Sequence, residues 1–391
     1  MKNSGEYPMK IGIVSIIKEP WGGSEELWAD MAAEALKDGH QIYISALKCG
    51  PAHPKTVKLV ENGAKLFYRR GFVKPGLPFL QRILRKGLII LANKLQNPFH
   101  KLFKVKPDII FYVGTSYSIA DDVLLLKALE TSPAALYINC NLNHNVRGFG
   151  STDYDRVAAA YKQAKKVLFV SEHNLELARM HTCSHIENAM VVRNPVNLSN
   201  IGIQPFPTGD TVHFAMVGIL VTDHKGQDLV LSVLNREEWR SRNWHLNIYG
   251  SGLDEGYLKR LSTFYNLDDR ITFHGKVNNI TEVWRKNSLL LMPSHQEGMP
   301  LAVVEAMVSG RPSVLTDVGG HTEWVNDGVE GFISPGVSVA SMADAMERAW
   351  QKRADWEKMG LAANANALKL YNPAPGRTIL KLFLNQKESD A

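Results

Sequence analysis

Cysteine is scarce in this chain: Cys49, Cys140 and Cys183 are an odd, scattered set with no close pair. That spacing argues against a disulfide framework and a zinc site, and fits a reducing cytosol. Long apolar runs are also missing. Gly87–Ala92 falls far short of the ~18 residues that would span a bilayer. The opening MKNSGEYPMK has no apolar signal core after it, so the expectation is a cytoplasmic chain. Short-period repeats and low-complexity tracts do not occur.

Acidic residues vanish over one stretch. Residues 62–107 contain no Asp or Glu, yet they hold Lys65, Arg69, Arg70, Arg82, Arg85, Lys86, Lys94 and further lysines. Phe79, Leu80, Ile83, Leu84, Leu88 and Leu91 are interleaved with them. Two readings fit such a segment. Either residues 65–106 lie peripherally on the anionic inner face of a membrane, or they are a solvated basic face over an ordinary core helix. Nucleic acid is not an expected partner, because the rest of the chain is not basic and carries no recognised motif.

What the chain does contain is enough for two domains. At roughly 100–200 residues per domain, 391 residues divide in two. Apolar content of 45% against 21% charged places it among globular proteins rather than disordered ones. KIGIVSII (10–17) reads as a buried strand, followed by a helix over 24–38 with Ser24 as cap and Gly39 past its end. Further strands are expected at 41–47, 109–113, 135–139, 167–170 and 190–193. Residues 194–210, with Pro195, Pro205 and Pro207, read as a linker. A second series then runs through 212–218, 244–250, 271–275, 288–294 and 312–317. Continuous apolar runs alternating with helices indicate parallel sheets covered on both faces. The fold class is therefore α/β, with two doubly wound Rossmann-like domains facing across a cleft. The expected boundaries are 1–200, 211–371 and a last segment, 372–391, that carries a short helix. Ligands in such sheets bind beyond the carboxyl ends of the strands.

The chemistry concentrates in Ser294-His295-Gln296-Glu297-Gly298-Met299-Pro300-Leu301, continuing through Glu305 to Met307. Pro300 suits the first position of a helix and Gly310 its end. Glu305 then falls in the second turn among Val303, Val304, Ala306 and Met307, where a carboxylate needs hydroxyls, a cation or backbone donors. Glu297 precedes the helix, and the free N–H groups of the helix start make a phosphate site between the two glutamates. The order carboxylate, anion site, carboxylate matches sugar, diphosphate and ribose.

This block, EGMPLAVVEAM followed by SGRPSVLTDVGGHTEWVNDGVEGF, resembles the family 4 glycosyltransferases of the GT-B fold. The likeness extends over 217–350, with NPV (194–196) and, more loosely, the N-terminal GGSE. It implies a retaining, metal-independent transferase that uses a nucleotide-diphosphate sugar as co-substrate and no cofactor. It assigns donor contacts to Glu297, Gly298, Met299, Pro300 and Glu305, the last on the ribose. It also implies that 1–200 is the acceptor side, that 211–371 binds the donor, and that 372–391 returns to the first domain. The acceptor would be a glycan or a lipid-linked glycan, in polysaccharide biosynthesis.

Lys225, in HKG after the strand ending at Gly218, suits neutralisation of charge on a departing diphosphate. The family usually places an Arg just after that glycine. Here Ile219 stands there, so half of the phosphate clamp is missing, with His224 or Arg193 as substitutes. Gly22 and Gly23 open the first helix and suit close approach of a diphosphate, or else form only a tight turn. Glu25 and Glu26 are read as helix-start carboxylates. His144, after the strand at 135–139, is the candidate polar group near the reacting carbon, or else a loop histidine bonded to backbone. Asp153 and Asp155 read as helix-capping residues and His181, Cys183 and His185 as helix-end residues, so no metal site is expected.

Overall fold

The apolar runs form strands that all pair in parallel. The computed structural model describes residues 8–73, 76–115, 117–141, 154–196 and 202–389. The chain divides into two compact units. One comprises Met1–Pro195 with Asn372–Ala391, and the other Val196–Tyr371.

The first unit holds β1 (Lys10–Ser15), β2 (Gln41–Leu47), β3 (Lys65–Arg69), β4 (Ile109–Gly114), β5 (Ala135–Cys140), β6 (Lys166–Phe169) and β7 (Ala189–Val191). They lie in the order β3-β2-β1-β4-β5-β6-β7. Alternate residues serve opposite faces. Ile11 and Ile13 face one apolar layer with Leu27 and Met31, whereas Val14 faces another with Ile110 and Ile138. Each fully buried aliphatic side chain of this kind contributes ~1.5–3 kcal/mol. Helix α1 (Glu25–Lys37) follows β1, and Gly39 ends it at φ +86°.

Two local expectations are corrected here. Ser24 makes no side-chain cap, and instead its hydroxyl reaches Glu25 Oε1 at 3.3 Å. β3 was not expected at all, because Lys65 and Arg69 made KLFYR look like part of a basic surface. Lys65 is exposed, but Arg69 is buried and donates to the carbonyls of Ser45 and Ser15 at 2.6 and 2.5 Å. After this strand comes α2 (Phe79–Leu95), a helix with no buried residue.

The second unit holds β8 (Val212–Val217), β9 (Trp244–Tyr249), β10 (Ile271–Gly275), β11 (Leu289–Met292), β12 (Ser313–Thr316) and β13 (Gly331–Ser334). Their order is β10-β9-β8-β11-β12-β13. Trp239, Trp244 and Trp356 belong to the apolar layer on one face. Short helices α3 (Thr222–Lys225) and α4 (Leu301–Val308) follow β8 and β11.

The chain ends on the first unit through α5 (Pro375–Ser389). Gly376 N–H donates to Asp30 Oδ2 at 2.9 Å, and Arg377 pairs with Glu34 on α1 and with Asp38 just past its end. Ile379, Leu380 and Phe383 are buried beneath it. The last helix is longer than the short one expected within 372–391.

Candidate functional site

In the second unit, the strand order reverses between β8 and β11, which pair directly. A crevice opens at such a switch point, beyond the carboxyl ends of the strands. The loops that follow these two strands carry Lys225 and Glu297.

The first loop leaves β8 at Gly218 (φ +156°), and α3 begins with Thr222. Asp254 fixes that start, accepting from Thr222 N–H at 2.7 Å and from its hydroxyl at 3.0 Å. The second loop is laced to the first, with His295 N–H donating to the His224 carbonyl at 2.9 Å. A Cβ on Gly226 would stand 2.2 Å from the Pro293 carbonyl oxygen, so only glycine lets the two loops meet.

Lys225 folds back over Gly218, where a Cβ would lie 3.4 Å from its Cε, and its ammonium donates to Glu297 Oε1. The Ser294 hydroxyl donates to the same oxygen at 2.7 Å. Glu297 is 7% exposed. Burial raises its pKa, but the Lys225 charge and the hydrogen bonds from Lys225 and Ser294 outweigh burial and hold it below the usual glutamate range.

Beneath the carboxylate runs a buried polar chain that the sequence pattern did not reveal. Ser294 O accepts from the Thr316 hydroxyl at 2.6 Å, and Thr316 O accepts from His321 Nδ1 at 2.6 Å. Ser294, Thr316 and His321 are all fully buried. A carbonyl can only accept, so Nδ1 carries the hydrogen and Nε2 is the lone-pair nitrogen of a neutral ring. Burial keeps the imidazole pKa below the ordinary histidine range. Nε2 has no hydrogen-bond partner among the described residues. Gly319 (φ +54°) brings the neighbouring turn against Glu297, where a Cβ would stand 2.2 Å from the Glu297 carbonyl oxygen.

Gly298, Met299 and Pro300 are buried, and Gly298 O accepts from Gly320 N–H at 3.0 Å. Pro300 caps α4 rather than opening its first turn, with φ −81° and ψ 81°. Glu305 is half-buried between the buried Val304 and Ala306. Arg311, a lone cation between glycine and proline in the sequence, was also missed. It is 1% exposed and donates to the carbonyls of Trp284, Asn287, Gln204, Ser309, Gly310 and Pro205. Burial pushes its pKa down to about 10.

In the first unit, the carbonyls of Gly22 and Gly23 accept from Glu25 and Glu26 N–H at 3.0 and 3.4 Å, which makes the entry to α1 a closed turn. Glu25 does more than dress the helix start. It is buried, accepts from Trp28 Nε1 at 2.8 Å, and burial raises its pKa. Glu26 pairs with Lys55 and accepts from Trp21 Nε1. Arg193, named as a substitute cation, belongs to this unit rather than to the one that carries Lys225. His144 and Asp153 lie outside the described residues. Cys140 is buried beside the Tyr161 hydroxyl, with its thiol pushed up to about 12 by burial. Cys183 ends its helix at φ +48°.

Residues 211–352 match the family model described as glycosyl transferases group 1. The second unit is thus similar to the group 1 glycosyl transferases over most of its length. A D-inositol 3-phosphate glycosyltransferase of Streptomyces griseus is 37% identical over 122 residues, 30% of this chain and 26% of that protein. A lipopolysaccharide 1,6-galactosyltransferase of Escherichia coli is 30% identical over 148 residues, 37% of this chain and 41% of that protein. The chain thus spans less than half the length of these relatives. Solved structures cover nearly all of it. Anabaena HepE in complex with UDP-glucose superposes with a TM-score of 0.73 at 16% identity, over 97% of this chain and 100% of that one. Sucrose-phosphate synthase from Thermosynechococcus elongatus gives 0.73 at 14% identity, with the same coverage. These likenesses carry the fold, which is the GT-B arrangement of two Rossmann-like domains. Within the glycosyl transferase unit, Ile219 is 48% exposed, so an apolar side chain faces water where the family resemblance expects a cation.

Proposed function

We propose that this chain is a retaining, metal-independent glycosyltransferase that moves a sugar from a nucleoside-diphosphate sugar to a glycan or lipid-linked acceptor hydroxyl. The observation that carries the reading is the Lys225–Glu297 pair at the strand switch point of a group 1 glycosyl transferase unit. Glu297 contacts the donor sugar and Glu305 the ribose, with the backbone of Gly298 and Met299 beside the diphosphate. When the diphosphate binds, Lys225 transfers part of its charge from Glu297 to the phosphate oxygens. It then stabilises the negative charge that develops as the anomeric C–O bond breaks. The acceptor hydroxyl attacks from the face that the diphosphate leaves, and its proton passes to a departing phosphate oxygen. The first unit supplies the acceptor side, with Gly22 and Gly23 near the diphosphate and His144 near the reacting carbon. The donor is a co-substrate, and no cofactor takes part. HepE, in complex with UDP-glucose, supports a uridine donor as the first to test.

A second reading has one observation in its favour. Ile219 removes half of the phosphate clamp, as in a protein that binds nucleotide sugars without turning them over. A screen of nucleotide sugars by thermal shift, followed by product analysis with and without acceptors, separates the readings. A stabilising donor with acceptor-dependent transfer supports the transferase. A stabilising donor without any turnover supports the binding protein, and consumption without acceptor points to a hydrolase or epimerase. No stabilising donor at all overturns both main readings.

A further inference from the structure

Helix α2 presents its apolar side to water. Leu80, Leu84, Leu88, Leu91 and Leu95 recur at four- and three-residue steps, so they form one stripe along the helix. They are 72%, 67%, 66%, 56% and 82% exposed. The half-buried residues Ile89, Ala92 and Asn93 lie on the opposite side, together with Arg82, Arg85 and Lys86. An amphipathic helix that packs on its own core does the reverse. Here the leucine side faces water, and only Ile89, Ala92 and Asn93 on the other side are partly covered.

We infer that α2 seats its leucine stripe in the headgroup–acyl boundary of an anionic lipid bilayer. Charge decides between a bilayer and a second copy of the chain. Residues 62–107 contain no Asp or Glu, and Arg70, Arg82, Arg85, Lys86, Lys94 and Lys101 are exposed. Two copies of this face would set like charges against each other, whereas anionic headgroups neutralise all of them. The apolar pattern also argues against a helix pair. Leu84, Leu88, Leu91 and Leu95 alone would fit a heptad seam, but Phe79, Ile83 and Ile90 are also exposed and lie outside it. With these residues the exposed apolar face covers about half of the helix circumference, too broad for such a seam and as expected for a helix lying in an interface. The structure narrows the membrane segment in another way. Arg69 is buried on backbone carbonyls and contributes nothing to the surface, so the contact begins after β3.

The inference stands apart from the transferase reading, and the experiment keeps them separate. The full chain is sedimented with vesicles of equal parts phosphatidylglycerol and phosphatidylcholine, and with phosphatidylcholine alone. Binding is expected only to the anionic vesicles, and it should weaken as salt is raised. L84E/L88E should lower the bound fraction about tenfold or more, and R82E/R85E/K86E should reduce it while removing the salt dependence. Thermal shift by the stabilising nucleotide sugar should be unchanged in both variants, because both change only residues of the first unit. If the wild-type chain stays in the supernatant, or if L84E/L88E binds as well as wild type, the inference fails. A concentration-dependent dimer that L84E/L88E abolishes, without vesicle binding, would assign the stripe to a second copy instead.

Discussion

Lys225 and Glu297 are bound to each other, one from the loop after β8 and the other from the loop after β11. The pair is partly desolvated, with side-chain exposures of 19% and 8%. Removing one partner strands the other. Lys225→Ala should therefore destabilise the second unit by about 2 kcal/mol, a value reduced from that of a fully buried pair because the lysine retains some water contact. Adding Glu297→Gln should recover part of that loss, since no buried charge then lacks a partner. Urea unfolding of the two single variants and the double variant measures the coupling. Additive losses would show that the pair is not an interacting unit. Transfer should fall about 100-fold or more in Lys225→Ala, as for loss of one preorganised charge in a transition state.

The pH dependence of stability should differ in sign between two buried glutamates. The folded-state pKa of Glu297 lies below its unfolded value, so its contribution is complete above roughly pH 4.3. That contribution is lost as pH falls through the folded value, and the difference between wild type and Glu297→Gln should shrink there. Glu25 behaves oppositely, because burial raises its pKa. Its folded form holds the proton longer, so stability falls as pH rises from about 4.3 through the raised value. Glu25→Gln should therefore gain on wild type over that window and then level off. Unfolding free energies along a pH series test both signs at once.

The buried chain below Glu297 makes a prediction about turnover. His321→Leu keeps an apolar fit but leaves the Thr316 carbonyl without its donor. Ser294 and then Glu297 lose their fixed positions, and kcat should fall about tenfold, the worth of one hydrogen bond of ~1.4 kcal/mol. His321→Asn offers an N–H from nearly the same place and should restore most of the loss. Asn is the smaller and more polar replacement, so a purely packing role would make His321→Asn at least as unstable and as slow as His321→Leu. An Asn rescue of kcat at unchanged thermal stability separates positioning from packing.

How much of this was legible in the sequence follows from what each residue contacts. β1, β2 and β4 lie in sheet interiors, and their unbroken apolar runs gave them away. β3 is an edge strand with a lysine at one end and an arginine at the other, and only the fold shows that Arg69 turns inward to carbonyls. β13 is four residues long and opens on glycine, which leaves no periodic signal. Glu297 and Glu305 stood out because their eight-residue spacing brackets a helix start. Ser294, Thr316 and His321 did not, because they meet only when β11, β12 and the turn after β12 are brought together. Arg311 resembled a loop cation, and its six carbonyl partners come from three separate stretches of chain.

Arg311 should be structural for that reason. Arg311→Met keeps much of the side-chain length but leaves those carbonyls without donors. The linker residues Gln204 and Pro205 would lose their tie to the turn between α4 and β12. The expected cost is about 2–4 kcal/mol, and a fall in Tm of about 10 °C, with the donor affinity of the surviving folded protein little changed. A variant as stable as wild type would mean that water or rearranged backbone replaces the guanidinium.

Ile219→Arg tests the phosphate clamp by addition instead of loss. Ile219 is 48% exposed, and its carbonyl accepts from Gln227 Nε2 at 2.8 Å, so the backbone is already held and a longer side chain has room. A guanidinium near the Lys225 ammonium raises the local positive charge, which costs a little in the empty protein and helps once a diphosphate is present. Affinity for a nucleoside diphosphate should rise about tenfold, as for one charge-assisted contact, and it should become more sensitive to salt. If the wild-type chain is a slow transferase, turnover rises too. If it binds without turnover, affinity alone improves. Unchanged affinity for every nucleoside diphosphate would move the phosphate site away from Gly218 and Lys225.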